Sequence, residues 1–249
     1  MQIRLKYLFN LQYNKENFMG NINGIPLRER KQARTRLALL DAAIERMREK
    51  ALADITVEEI CQEVEVSRGT FFRYFARKAD LILYHIRLWS IEVMWHATKA
   101  ADSSPGLAMI EALFDWTAAV FEDHPRLFAE LIAFRAFEPQ EFTKLVRNDK
   151  IMVSQAERLL RFPDLDGIES IPEGTFHSIF RHNLQAAVVN AELPDSIDID
   201  DVVLSLACIF YGVPLMLADR APKNLPAAYS HQVRLLWTGL RAAAGECTR

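Results

Sequence analysis

The chain has 249 residues, half of them hydrophobic and a quarter charged, with a formal net charge of −3. That length can bury one large core or two smaller ones, and the balance is ordinary for a soluble globular protein. Three Cys without a Cys-x-x-Cys pair, and six His without metal spacing, argue against a disulfide framework or a zinc centre. No metal and no other cofactor is expected.

The elements are helical almost throughout. Residues 1–24 scatter cations and Asn among their apolar residues and lack the continuous apolar core of a signal peptide. A disordered tail is expected there, with Met19 as an alternative start. Five of the nine residues from Arg28 to Arg36 are basic. Such a run before a helix can lie along phosphates or enter a minor groove, and Arg34 and Arg36 are the candidates; a solvated flexible arm explains the same residues. A first helix is predicted over Thr35–Lys50, with Leu37, Leu40, Ile44 and Met47 as its apolar stripe.

Residues 54–81, DITVEEICQEVEVSRGTFFRYFARKADL, read as two short helices joined by a tight turn. Thr56 is a suitable N-cap, and Glu59 three residues later completes a capping box. Val57, Ile60, Cys61 and Val64 share one face. The chain turns at Glu65-Val66, and Ser67 is the N-cap of the second helix. Phe71 and Phe75 form that helix's buried face, leaving Arg68, Thr70, Arg73 and Tyr74 outward, a surface that suits a major groove. An αα-hairpin with a charged exterior has the same periodicity.

A long helix from Lys78 to Ala101 follows, then a break at Asp102-Ser-Ser-Pro-Gly106. Further helices are predicted over Leu107–Asp123, Pro125–Phe137, Pro139–Arg161, Thr175–Ala191, Val202–Leu217 and Ala227–Ala244. Residues 163–174 and Ala221–Pro226 read as loops. The uncharged run from Val202 to Ala218 is short for a membrane span and contains Ser, Tyr, Gly and Pro, so a buried interface helix is expected, and a cytoplasmic protein with it. Charge is uneven. Residues 25–80 hold 12 Lys/Arg against 10 Asp/Glu, and residues 81–249 hold 15 against 22. An acidic body repels DNA, which confines any DNA contact to the N-terminal end.

The order of residues in this stretch resembles the DNA-binding domain of the TetR family of bacterial transcriptional regulators. Thr56, Ile60, Val66, Ser67, Arg68, Gly69, Thr70, Phe71, Phe72, Tyr74, Phe75, Lys78 and Leu81 match the family pattern. The resemblance covers residues 33–93. It implies an all-α protein: a three-helix DNA-binding domain over 33–93, with its helix-turn-helix at 56–75, followed by a helical bundle over 94–249 for effector binding and dimerisation. Arg68 is then expected on a guanine edge, with Arg73 as a second base contact. Gly69 permits close approach to the groove floor, and Thr70 reaches a phosphate or a thymine methyl. Thr56, Tyr74 and Lys78 hold phosphates, with Ser67 and Phe72 completing the interface. Three departures from the pattern stand out. Ala51 and Glu65 occupy positions where Gly is usual, and Phe72 replaces a Tyr whose hydroxyl reaches a phosphate.

For the body, the resemblance implies a homodimer through the last two long helices, with Leu206, Phe210, Val213, Val233, Leu236, Trp237 and Leu240 as interface candidates. It also implies a small-molecule effector, for which Trp95, Trp116, Phe134, Arg135, Phe137, His177, Phe180 and Tyr211 are the pocket candidates. The expected function is a ligand-responsive repressor that binds double-stranded DNA at a near-palindromic operator, without enzymatic activity. Two rivals are weighed. A protein of this fold could act through protein partners without its own operator. An all-α carboxylate-bridged metalloenzyme needs Glu-x-x-His pairs, which the sequence lacks.

Overall fold

The computed structural model describes residues 22, 24–102, 104–123, 125–137, 151–217 and 224–246. The expectations for residues 1–21, including Met19, for the opening of the Pro139–Arg161 helix and for the Ala221–Lys223 break lie outside these residues. Among the described residues the chain is all-α, with ten helices: α1 (Leu27–Met47), α2 (Val57–Glu63), α3 (Arg68–Tyr74), α4 (Asp80–Ala100), α5 (Leu107–Asp123), α6 (Pro125–Phe137), α7 (Gln155–Arg161), α8 (Phe176–Val189), α9 (Ile199–Leu217) and α10 (Leu225–Glu246). Single 3₁₀ turns lie at Leu52–Asp54 and Ile168–Ser170.

Two boundaries differ from the sequence reading for identifiable reasons. Helix α1 begins eight residues before Thr35, after Pro26 at its N-cap. Its opening residues are almost all strong helix formers, and Pro26 has a φ of −52°. The basic run is therefore helical and not an arm. The helix expected to continue to Arg161 instead starts afresh at Gln155, where Ser154 and Glu157 form a reciprocal capping box. Helix α8 opens as expected, with Thr175 as its N-cap.

The described chain forms two compact units. The first contains residues up to Glu92 together with those within Arg126–Glu173; the second contains Val93–Pro125 and the residues from Gly174 onward. The division falls inside α4. The described residues within 126–173, which the sequence reading put in the body, fall in the first unit, where α7 packs along α1.

In the first unit, Leu37, Leu40, Ile44 and Met47 are buried as their spacing predicts. Leu39, Ala42 and Ala43 are buried as well, so α1 is covered on more than one side. Ile55, Ile60, Cys61, Phe71, Phe75, Leu81 and Tyr84 complete this core. In the second unit, Phe114 is central. Its ring stacks on Phe180 with centroids 5.8 Å apart and meets Phe210 and Tyr229 edge-on at 5.9 and 4.9 Å. The Tyr229 hydroxyl donates to the Phe210 carbonyl at 2.7 Å, which satisfies its one buried polar atom. Asn183 accepts from the Gly106 amide at 3.1 Å, and Glu192 accepts from the Leu107 amide at 2.8 Å, so two orphan donors at the start of α5 are met. Gly106 has a φ of 148°, and a Cβ there would lie 2.7 Å from the Glu192 carboxylate. Helix α9 is long and apolar enough to cross a membrane by composition alone, but Val202, Val203, Leu206, Phe210 and Pro214 are buried in the protein.

Glu92 is a buried carboxyl in the first unit. Burial pushes it up to about 7, with Arg161 acting in the opposite direction. Between its unfolded value of 4.5 and this folded value, the folded chain holds more protons than the unfolded chain. Stability therefore falls as pH rises through that window and levels off above it. Glu92→Gln is expected to raise Tm at about pH 8 while changing it little at about pH 4.5. An equal effect at both pH values in thermal melts removes the titration of Glu92 as the cause.

Candidate nucleic-acid interface

The geometry of the outward surface is set by caps and turns. Thr56 Oγ1 accepts from the Glu59 amide at 3.2 Å, and the Glu59 carboxylate accepts from the Thr56 amide at 2.6 Å. Lys50 Nζ lies 2.5 Å from the same carboxylate. The Lys50 hydrogen bond first, then those from Thr56, hold Glu59 down at about 2. Helix α2 ends in a Schellman motif: the Val66 amide donates to Cys61 O at 3.0 Å and the Glu65 amide to Gln62 O at 3.3 Å. This places Glu65 at φ 56°, the left-handed region, where Gly would be unstrained. Ala51, by contrast, is extended with φ −62°, so its departure from the family pattern carries no backbone strain.

Ser67 then caps α3, its Oγ accepting from the Thr70 amide at 3.1 Å. Phe71 and Phe75 are fully buried, and their rings lie 5.7 Å apart. The helical repeat consequently turns Arg68, Gly69, Phe72 and Arg73 outward, all four exposed, with Thr70 and Tyr74 half-buried at the flanks. Arg68 is 64% exposed and pairs with Glu58 at 2.8 Å. An exposed pair of this kind contributes about 0–1 kcal/mol, so Arg68 can exchange Glu58 for another partner at little cost. Phe72 is 46% exposed, with the Arg68 guanidinium 6.0 Å from its ring. Arg73 lies over the Tyr74 ring at 5.0 Å. A Cβ on Gly69 would meet only Ser67 Oγ, at 3.7 Å, so nothing inside the fold requires glycine there.

Two expected phosphate contacts are engaged elsewhere. Arg36 points inward: Nη1 lies 3.0 Å from Glu157 Oε1 and donates to Met152 O at 2.9 Å, while its guanidinium sits 4.1 Å over the Tyr84 ring. It lies on the covered side of α1, and the expected contact with a phosphate or minor groove is replaced by this internal pairing. Lys78 Nζ donates to the carbonyls of Ala53 and Ile55 at 2.9 and 2.5 Å, tying the 3₁₀ turn to the start of α4. Arg34 is exposed on α1. Arg28 and Lys31, which the sequence reading placed only within the basic run, and Gln32, which it did not name, lie on one face of α1. With Leu27, Thr35, Arg73 and Tyr74 they line a groove of about 420 Å³ on the first unit. Their spacing of i, i+3 and i+4 is a helical-face signal that becomes legible once α1 is extended to Leu27.

The body candidates do not gather into one place. Trp95 and Trp116 lie in the second unit with His96 between them. His96 stacks on Trp116 with centroids 3.5 Å apart and meets Trp95 edge-on at 4.9 Å. Burial pushes His96 down to about 4, so this imidazole is neutral at neutral pH. Phe180 is part of the Phe114 core, His177 is exposed, and Tyr211 is half-buried beside Phe210. Phe134, Arg135 and Phe137 belong to the first unit, where Phe137 is largely exposed. Among the interface candidates, Leu206, Phe210, Val233 and Trp237 are buried within the second unit, with Trp237 Nε1 donating to Glu111 at 3.0 Å. Val213, Leu236 and Leu240 are half-buried. The apolar residues turned outward on α9 and α10 are instead Leu204, Leu215, Met216 and Leu235. The sequence could not separate these sets because α9 is apolar nearly all round. Among the described residues no group of three or more His, Cys, Asp or Glu could hold a metal ion.

The left-handed Glu65 offers a direct test of the turn. Glu65→Gly is expected to raise stability by about 1 kcal/mol, read as a higher urea midpoint at unchanged slope. A lower midpoint excludes backbone strain at this position.

Comparison with known proteins places the first unit. The family described as "Bacterial regulatory proteins, tetR family" matches residues 39–84. The HTH-type transcriptional regulator TcmR of Streptomyces glaucescens is 44% identical over 61 residues, which make up 24% of this chain and 27% of that protein. The match thus spans about a quarter of that relative's length. Among solved structures, Thermus thermophilus FadR, a TetR family transcriptional repressor in complex with lauroyl-CoA, is similar with a TM-score of 0.53 and 20% identity, covering 81% of this chain and 92% of that one. A TetR transcriptional regulator from Rhodococcus sp. RHA1 is similar with a TM-score of 0.45 and 17% identity, covering 86% and 99%. With its helix-turn-helix in α2 and α3, the stretch 39–84 of this chain matches the TetR family of bacterial regulatory proteins, and the described elements are all helical.

Proposed function

We propose that the chain is a cytoplasmic, ligand-responsive transcriptional repressor that binds a near-palindromic operator as a homodimer. The observation that carries this reading is the outer face of α3. A glycine inside a helix costs about 1 kcal/mol relative to alanine. Gly69 has no internal neighbour that demands it, which supports a role in the close approach of a groove floor. Arg68 and Arg73 flank it with exposed guanidinium groups, the side chains best suited to grip guanine by two hydrogen bonds. The groove lined by Arg28, Lys31, Arg73 and Tyr74 suits the sugar-phosphate backbone beside that contact. Lys78 and Arg36 act from within, holding the parts in place.

A two-fold dimer presents two such helices to successive major grooves. The outward apolar residues Leu204, Leu215, Met216 and Leu235 are the proposed dimer contacts, since covering them with a second copy removes apolar surface from water. For the effector, the Trp95–His96–Trp116 cluster, with its neutral imidazole, suits an apolar small molecule. The Thermus repressor of like fold is in complex with lauroyl-CoA, whose lauroyl chain is apolar. Such a molecule acts on DNA binding only by favouring one arrangement of the two heads over another.

Two experiments test this reading. In binding titrations with the DNA upstream of its own coding sequence, Arg68→Ala is expected to lose about 1–3 kcal/mol and relax preference at one base pair per half-site. In the same assay Gly69→Ala is expected to weaken operator binding while raising thermal stability. Absence of preference for any duplex over random competitor leaves a regulator acting through protein partners. For the dimer, Cys208 is exposed on α9 and serves as a reporter. In a Cys247→Ser background, a short bismaleimide is expected to give a covalent dimer, and Leu204→Arg is expected to abolish it. A monomer in analytical ultracentrifugation at micromolar concentration overturns the dimer.

A further inference from the structure

Resting on the reading of α3 as the DNA-reading helix, we infer that Glu157 is a positioning residue for that helix, so that the DNA-reading unit comprises the three-helix head together with residues 151–173. Glu157 is 121 positions away from its partner Arg36 in sequence and is 2% exposed. Each of its carboxylate oxygens has two donors. Oε1 accepts from Tyr84 Oη at 2.7 Å and from Arg36 Nη1 at 3.0 Å. Oε2 accepts from the Ser154 amide and hydroxyl at 2.6 and 2.7 Å, which is the capping box of α7. The carboxylate therefore joins α1, α4 and α7 at one buried point.

From that point a continuous path leads to α3. The Arg36 side chain, 12% exposed, lies as a plate over Tyr84 at 4.1 Å and near Phe75 at 5.5 Å. Phe75 is the C-cap of α3, its amide bonded to Phe71 O, and its ring touches both Tyr84 and Phe71. Helix α3 has only seven residues, too few to hold an orientation by its own hydrogen bonds, so its tilt is set by what lies behind Phe71 and Phe75. Removing the Glu157 charge leaves the Arg36 guanidinium buried without its carboxylate, a state strongly disfavoured in a low-dielectric interior. Arg36 then leaves its place, and the support behind Phe75 goes with it. Base contacts need tighter alignment than phosphate contacts, so discrimination between sequences suffers before general affinity does.

A second ion-paired carboxylate, half-buried, supplies the internal control. Glu173 pairs with Arg87 at 2.5 Å and with Arg158 at 3.0 Å, and accepts from the Val153 amide at 3.2 Å. Its side chain is 11% exposed against 2% for Glu157, and its partners lie on α4 and just before and within α7.

The test compares Glu157→Gln, Tyr84→Phe and Glu173→Gln in the full chain, at a temperature where circular dichroism shows each folded. Glu157→Gln is expected to lower operator affinity about tenfold, leave random-duplex affinity and the salt slope unchanged, and speed amide exchange at Thr70–Phe75 in the absence of DNA. Tyr84→Phe, which keeps the ring under Arg36, is expected to give a smaller change in the same direction. Glu173→Gln is expected to lower Tm without either effect on α3. Operator affinity within about twofold of wild type in folded Glu157→Gln overturns the inference, as does an equal loss in Glu173→Gln at matched Tm. The exchange experiment reads the support of α3 without DNA. A wild-type chain that prefers no duplex overturns the DNA-binding reading and, with it, the reading role given to Glu157; the exchange result then reports the packing alone.

Discussion

A helix of seven residues cannot fix its own direction in water, and α3 owes its direction to two phenylalanines pressed into the core of the first unit. With Phe71 and Phe75 fully buried four residues apart, the 3.6-residue repeat decides what the helix shows to solvent. Arg68, Gly69, Phe72 and Arg73 are outward because the phenylalanines are inward. Much of the rest of the first unit serves to keep that arrangement rigid.

The rigidity comes from small polar devices more than from long elements. The capping box of Thr56 and Glu59 starts α2, a Schellman motif ends it, and Ser67 starts α3 after a turn of three residues. Lys78 satisfies two carbonyls of the preceding turn and thereby links the entry of α4 to the entry of α2. Each device satisfies backbone groups that a short helix leaves open, and their sum lets two helices of seven residues act as one rigid block. Glu65 is the one place where this geometry strains its residue.

The second unit is organised differently. Its centre is a set of aromatic rings around Phe114, and its polar groups are few and matched: Asn183 and Glu192 at the start of α5, Tyr229 on a carbonyl, Trp237 on Glu111. Leu204, Leu215, Met216 and Leu235 of α9 and α10 are exposed, and two indoles lie half-buried around a neutral imidazole.

The helix-turn-helix motif was legible in the sequence because its information is local. Capping residues act over three positions, the Phe71–Phe75 pair over one turn, and the family pattern over a few dozen residues, so no distant contact was needed to read them. The stripe of α1 and the opening of α8 at Thr175 were legible for the same reason. The inward role of Arg36 was not, because its partners Glu157 and Tyr84 stand 121 and 48 positions away and a charged residue in a basic run reads as solvent-facing. Nor could the sequence say which side of α9 is covered, since a helix apolar all round has no face until its neighbours are placed. Short-range hydrogen bonding and helical periodicity were sufficient for the motif; burial and long-range charge pairing arise only when the chain is folded, and they alone decided which cations face outward and which hold the head together.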